Sequence, residues 1–233
     1  MRILAVDTST MAGGVALMQS SRVLCDLRVD VPVSHAPRLL TLIHQALSLT
    51  FVPLQSIDLF AASQGPGSFT GLRIALATLM GLGHALRRDV VGIDTLEALA
   101  MKAWWSPHPV CALLDARKGE VFAAIFRSTP TGLRRVTPNL VMSPEAFCAN
   151  ITEPTILLGT GVDVYRGVWE RHLGELALFA PPWLGMPCSV EVGALAFTQA
   201  MIGHGGPRAA LTPIYVRPSE AEINWSRRYT RDQ

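Results

Sequence analysis

The stretch Gln64-Gly65-Pro66-Gly67-Ser68-Phe69-Thr70-Gly71-Leu72-Arg73, running on into Ile74-Ala75-Leu76-Ala77-Thr78-Leu79-Met80-Gly81, reads as a glycine turn that opens a helix. The run before it, Ile57-Asp58-Leu59-Phe60-Ala61-Ala62, reads as a buried strand. A strand, a glycine loop and a helix N-terminus in succession suit either an anion or a close backbone contact. From Ile74 to Leu86 no residue is charged, and apolar side chains fall on every side. A helix apolar all round is covered all round. In a chain of 233 residues that points to a second protein over whatever face the domain leaves bare.

Working outward, the first half reads strand (Arg2 to Asp7), strand (Gly14 to Met18), strand (Arg22 to Val31), then a helix from Ser34 to Thr50. Ser34 is the expected N-cap, with Leu39, Leu40, Ile43 and Leu47 on one stripe. The strand at 57–62 and the helix at 69–87 follow, then a strand from Val90 to Ile93 and a helix at 95–103 opened by the capping box Asp94-Thr95-Leu96-Glu97. The second half repeats this order. Val110 to Asp115, Glu120 to Arg127 and Leu133 to Met142 read as strands. Ser143-Pro144-Glu145 opens a helix. A strand from Thr155 to Leu158, the turn Gly159-Thr160-Gly161, a helix at 162–172, a strand from Leu176 to Phe179 and a helix from Ser189 to Gly203 complete it, and the tail from Gly205 is irregular. Such a duplication predicts two similar α/β domains. The boundary falls at Trp104-Trp105-Ser106-Pro107-His108-Pro109, giving domains at 1–104 and 105–233.

Composition narrows the function classes. Charged residues make up 16% of the chain, against about 25% in typical domains, which again favours a protein partner. A net charge of +2 is too small for the body of the protein to hold nucleic acid by charge alone. Cys25, Cys111, Cys148 and Cys188 are scattered, which fits reduced thiols in the cytosol better than a disulfide framework or a zinc site. Asp7 cuts short the first apolar run, so the start does not read as a signal peptide. The longest uncharged run falls short of the roughly 20 residues of a membrane span.

A duplicated βββαβαβα unit whose hairpins begin with Asp resembles the actin, sugar kinase and Hsp70 superfamily, with two ribonuclease-H-like domains. More narrowly, Asp7-Thr8-Ser9-Thr10, the run from Gly65 to Arg73, Asp115-Ala116-Arg117-x-Gly119-Glu120-Val121, Gly159-Thr160-Gly161 and Pro213-Ile214-Tyr215-Val216-Arg217 together resemble the bacterial TsaB (YeaZ) family. The resemblance implies a non-catalytic accessory subunit for threonylcarbamoyl-adenosine synthesis on tRNA, beside the anticodon. It implies a TsaD-like catalytic partner and a TsaE-like ATPase in the assembly; the uncharged helix face predicts a homodimer when the partner is missing. In TsaD a His-x-x-x-His metal pair occupies the segment matching Ile93 to Ala100. Here Thr95 and Leu99 stand at that spacing, and neither suits such a metal site.

The partner-binding residues expected are therefore Leu39, Ile43 and Leu47 on the first helix, and Gly71, Arg73, Ala75, Thr78 and Leu82 on the second. Gly71, Ala75 and Thr78 place small side chains on one face, which is expected to meet a partner helix while Leu72, Leu76 and Leu79 face the sheet. Asp7, Thr8, Ser9 and Asp115 are candidates for a remnant nucleotide contact, with ATP or ADP at a subunit interface and no cofactor held by the chain alone. The alternative is that both aspartates only end strands and bond turn N–H groups. No metal site and no nucleophile–base pair is legible: His35 and His44 are wrongly spaced, and Pro66 and Thr70 stand where a nucleophile elbow around Ser68 needs glycine. That leaves a peptidase-like hydrolase without support, and a free-standing ATPase or phosphotransferase as the open alternative. The tail Trp225-Ser226-Arg227-Arg228-Tyr229-Thr230-Arg231 mixes arginine with aromatics, a composition that could touch tRNA phosphate and bases, but a solvated basic tail is the favoured reading, and tRNA is expected to be met at most indirectly.

Overall fold

The structure is a computed structural model that describes residues 1–31, 35–186, 188–202, 211–214 and 216. Two sheets carry the fold. The first holds β1 (Arg2–Asp7), β2 (Gly13–Gln19), β3 (Arg22–Val29), β4 (Leu59–Gly65) and β5 (Asp89–Asp94), in the order β3-β2-β1-β4-β5. The second holds β6 (Val110–Arg117), β7 (Glu120–Thr129), β8 (Gly132–Arg135), β9 (Leu140–Met142), β10 (Thr155–Leu158) and β11 (Ala177–Phe179). Its order, β11-β10-β6-β7-β8 with β9 on β7, matches the first strand for strand. In each, a hairpin pairs antiparallel with a third strand, and two parallel strands follow on the other side.

Among the described residues seven α-helices cover these sheets: α1 (His35–Thr50), α2 (Phe69–Leu86), α3 (Thr95–Ala100), α4 (Pro144–Phe147), α5 (Thr160–Val164), α6 (Arg166–Leu173) and α7 (Ser189–Met201). α1 and α2 lie outside the first sheet over a core that includes Leu4, Val6, Leu17 and Phe60. α4, α5 and α6 lie outside the second sheet over Cys111, Leu113, Phe147 and Trp169. α3 and α7 fill the space between the sheets, in one core that draws Ile3, Ala5 and Ala61 from the first and Ala112, Leu114 and Phe126 from the second. The connectivity crosses there. α3, from the first half, packs on β6 and β7, and α7, from the second half, packs on β1, β2 and β4. The two halves of the chain thus share their central layer.

Several elements differ from the sequence reading, each for a local reason. The strand read at 57–62 sits at Leu59–Gly65, because parallel pairing with β5 continues to Asp94. The strand read over Leu133 to Met142 is split into β8 and β9 around Pro138, which has no N–H to give a ladder. The turn at Gly159-Thr160-Gly161 is instead the start of α5, with Gly159 just before it at φ +113°. Asp94 caps α3 as read, accepting from the Glu97 N–H at 2.9 Å. Ser34, Gly203 and the tail from Gly205, apart from residues 211–214 and 216, lie outside the described residues. α2 is long and apolar enough, by length and composition, to cross a membrane. Here it packs on β4 and β5 and beside α1. All four cysteines are free.

Candidate functional site

The glycine loop between β4 and α2 is spent on packing. Ser68 accepts from the Gly71 N–H at 3.2 Å as the N-cap of α2, and the Ser68 N–H donates to the Ser9 carbonyl at 2.6 Å. The Thr8 hydroxyl donates to the Gly71 carbonyl at 2.8 Å. A Cβ on Gly71 would collide with the Thr8 carbonyl, so glycine is there for close approach. The loop N–H groups of Ser68 and Gly71 already have protein acceptors, which favours the packing alternative over an anion cradle.

Beside this loop the hairpins of the two lobes face one another across a cleft of about 720 Å³. Of the four residues considered for a nucleotide contact, Ser9 and Asp115 line it, whereas Asp7 and Thr8 are buried behind it. Asp7 is 1% exposed and both its oxygens are engaged. One accepts from the Ser9 N–H at 2.9 Å, the other from the Cys188 N–H at 2.7 Å. The second bond sets a carboxylate at the N-terminus of α7, where the helix dipole favours it. Burial beside Asp7 pushes the Cys188 thiol well above the usual thiol range. Asp115 accepts from the Arg117 N–H at 2.8 Å and the Tyr165 hydroxyl at 3.2 Å, and pairs with the Arg117 guanidinium at 3.3 Å. Desolvation, then the Asp115 charge, raises the Tyr165 hydroxyl. The rest of the cleft is mainly apolar, with Met11, Phe69, Phe122, Val164 and Met186 on its walls.

Thr95 and Leu99, at the spacing of the metal pair, are both buried. The Thr95 hydroxyl accepts from the Gly65 N–H at 3.2 Å. Among the described residues no three His, Cys, Asp or Glu side chains are grouped so as to hold a metal ion.

The second candidate is the outer face of α1 and α2, and here the face reading needs correction. Leu39 and Ile43 point into the first-lobe core, and so do Gly71 and Ala75. Ala75 is 0% exposed. Leu47, Thr78 and Leu82 are half-buried, and Arg73 alone of the named residues is exposed. The cause is rotational: Gly71, Leu72, Ala75, Leu76, Leu79 and Gly83 together make the stripe that faces the sheet. The stripe left outside is Arg73, Ala77, Met80, Gly81, His84 and Ala85, continued on α1 by Leu40, Thr41 and His44. Leu40 is 57% exposed and Met80 38%. Small residues are on this stripe as well, at Ala77, Gly81 and Ala85. The signal that marks it is Arg73, the one formally charged residue of α2, held at the surface with its guanidinium 3.9 Å from the Phe69 ring centre.

Sequence reasoning also missed a polar clamp between the lobes. Arg135 on β8 lies 3.1 Å from Asp94, the cap of α3, and donates to Asn139 at 2.6 Å. Asn139 in turn donates to the other Asp94 oxygen at 2.5 Å. Glu97 nearby is raised above the ordinary carboxylate range by burial and by Asp94, against the pull of Arg135.

Comparison with known proteins agrees with this architecture. The family model described as "TsaD: tRNA N6-adenosine threonylcarbamoyltransferase" matches residues 31–225. A Bacillus subtilis protein, "tRNA threonylcarbamoyladenosine biosynthesis protein TsaB", is 26% identical over 97% of this chain and 98% of its own. The Escherichia coli protein of the same description is 36% identical over 69% of this chain and 72% of its own. The solved structure of YeaZ from Pseudomonas aeruginosa superposes with a TM-score of 0.78 at 29% identity, over 92% of this chain and 99% of that one. Component A of the (R)-2-hydroxyglutaryl-CoA dehydratase from Acidaminococcus fermentans has a TM-score of 0.52 at 12% identity, over 86% of this chain and 99% of that one, which speaks to fold alone. Paired sheets of one strand order, the crossed central helices, the packed glycine loop and these relatives lead to one placement: the chain has the actin-like duplicated fold and belongs to the TsaB (YeaZ) family.

Proposed function

We propose that this chain acts in tRNA threonylcarbamoyladenosine biosynthesis as the non-catalytic subunit that binds and activates a TsaD-type catalytic subunit. The observation that carries the reading is the outer stripe of α1 and α2. The 16 residues of α1 and the 18 of α2 include only Arg38 and Arg73 as formally charged side chains. The fold needs only the inner stripe, so the outer one is free to serve a partner. A face so poor in charge, with Leu40 and Met80 exposed on it, favours a protein contact. Without the partner the same face pairs two copies of the chain, and a TsaE-type ATPase joins the assembly. tRNA is met through the partners.

The absence of a catalytic role is supported by the chemistry of the cleft. Asp7 is sealed by two N–H donors. Asp115 is held by Arg117 and Tyr165. Thr95 supports the Gly65 backbone. Nucleotide in the assembly is therefore better placed at a subunit interface than on Asp7, and the free-standing ATPase reading loses its acid. Reconstitution tests the proposal. Modification of tRNA by the TsaD-type and TsaE-type subunits should require this chain, and the chain alone should turn over neither ATP nor tRNA. Modification at an equal rate without it, or ATP hydrolysis by the chain alone that Asp115→Ala abolishes, would overturn the reading.

A further inference from the structure

The cleft between the lobes already holds part of this chain. Leu211 packs against the first-lobe core. The Ile214 N–H donates to the Gln64 carbonyl at 2.7 Å, at the end of β4. The Ile214 carbonyl lies 2.6 Å from where a Cβ on Gly65 would stand, and Gly65 has φ +119°, so this position needs glycine on two counts. Ile214 and Val216 both line the cleft. The described chain thus ends inside an apolar cleft, with 17 further residues to follow, 217–233.

We infer that the cleft is the docking site of this same chain's C-terminal segment, 217–233, with Trp225 as its anchor on the apolar wall formed by Met11, Phe122, Val164 and Met186. Three features select this occupant. The segment starts at the cleft, since Val216 is one of its lining residues. Trp225 lies nine positions beyond Val216, a reach of up to roughly 30 Å when extended, beside a cleft of about 720 Å³. The chemistry also matches. Met11 is 51% exposed and Val164 56%, an apolar wall that a large aromatic ring would cover. Asp30 also lines the cleft, a carboxylate for the arginines at 217, 227, 228 and 231. The inference stands apart from the partner proposal, because α2 meets the cleft only through its first turn, at Phe69 and Thr70, and not through its outer stripe.

Limited trypsin digestion of the full chain tests it, with mass spectrometry following cleavage after Arg227, Arg228 and Arg231. The bond after Arg217 precedes Pro218 and resists trypsin, so these three report on the segment. Docking predicts cleavage at least tenfold slower in the wild type than in Trp225→Ala or in Met11→Glu, which puts a charge on the wall. Circular dichroism should show both variants folded. Should Met11→Glu fail to fold, Trp225→Ala alone decides. Equal cleavage rates in wild type and Trp225→Ala would overturn the inference. So would wild-type protection that appears only as protein concentration rises, which would seat the segment in a second copy.

Discussion

The two lobes share a strand order and differ in what they lay over it. The first sheet is covered by α1 and α2, of 16 and 18 residues, and the second by α4, α5 and α6, of 4, 5 and 8. α6 carries Arg166, Glu170, Arg171 and His172, with an Arg166–Glu170 pair at 2.8 Å. Its polar face is suited to water. The outer stripe of α2 has Arg73 as its one Lys, Arg, Asp or Glu residue. Both layers cover their sheet, so the fold does not explain the difference. Length and low charge beyond what a sheet requires, present on one lobe and missing from its duplicate, are what the proposed partner contact would use.

The largest effect that could break this comparison is at the inner stripe. Ala75→Arg would put an unpaired charge against β4, at a site with no solvent. Such burial costs several kcal/mol, a large share of the stability of a domain. We expect loss of the cooperative thermal transition. A variant that melts like wild type would show that the stripe is misassigned.

Asp7 sharpens the comparison at the lobe junction. Asp7→Ala frees two buried N–H groups, Ser9 and Cys188, each costing about 1–3 kcal/mol. The expected loss in melting temperature is roughly 5–15 °C for a chain of this size. An unchanged melting temperature would mean that the α7 N-terminus does not depend on this carboxylate.

A smaller effect is expected at Glu191 on α7, where one buried oxygen has no partner. Burial raises its carboxyl above the ordinary range, with Lys102 and Arg28 opposing. The folded state therefore holds the proton to higher pH than the unfolded chain. The stability gained is full below the ordinary value of 4.5 and is lost as pH rises through the raised one. Glu191→Gln should flatten that decline and raise the melting temperature at pH 8 by roughly 1–3 °C. A steeper decline in the variant would contradict the sign.

How far the sequence carried this structure depends on local contrast. β1 and β10 were legible to the residue, because each apolar run is bounded by polar or turn residues. The duplication was legible because Asp7 and Asp115 stand at equivalent places near the turns of the two hairpins, although β6 runs on to Arg117. The face of α2 was not. Periodicity tells which residues share a stripe, but in a helix apolar all round it does not tell which stripe is inside. Gly71-Ala75-Thr78 and Ala77-Gly81-Ala85 are both small stripes, and only Arg73 separates them. The crossing of α7 onto the first sheet was equally out of reach, since its contacts join distant parts of the chain, the Asp7–Cys188 bond spanning 181 residues. His35 and the aromatic-basic tail remain outside what the described side chains address.

The central claim is that the outer stripe of α2 binds a TsaD-type subunit, and calorimetric titration of that subunit with wild type and Ala77→Arg tests it most directly. Ala77 is exposed, so the variant should melt within about 2 °C of wild type. Wild type should form a one-to-one complex. Ala77→Arg should bind at least a hundredfold more weakly, about 2.7 kcal/mol. A folded Ala77→Arg that binds with wild-type affinity would contradict the account.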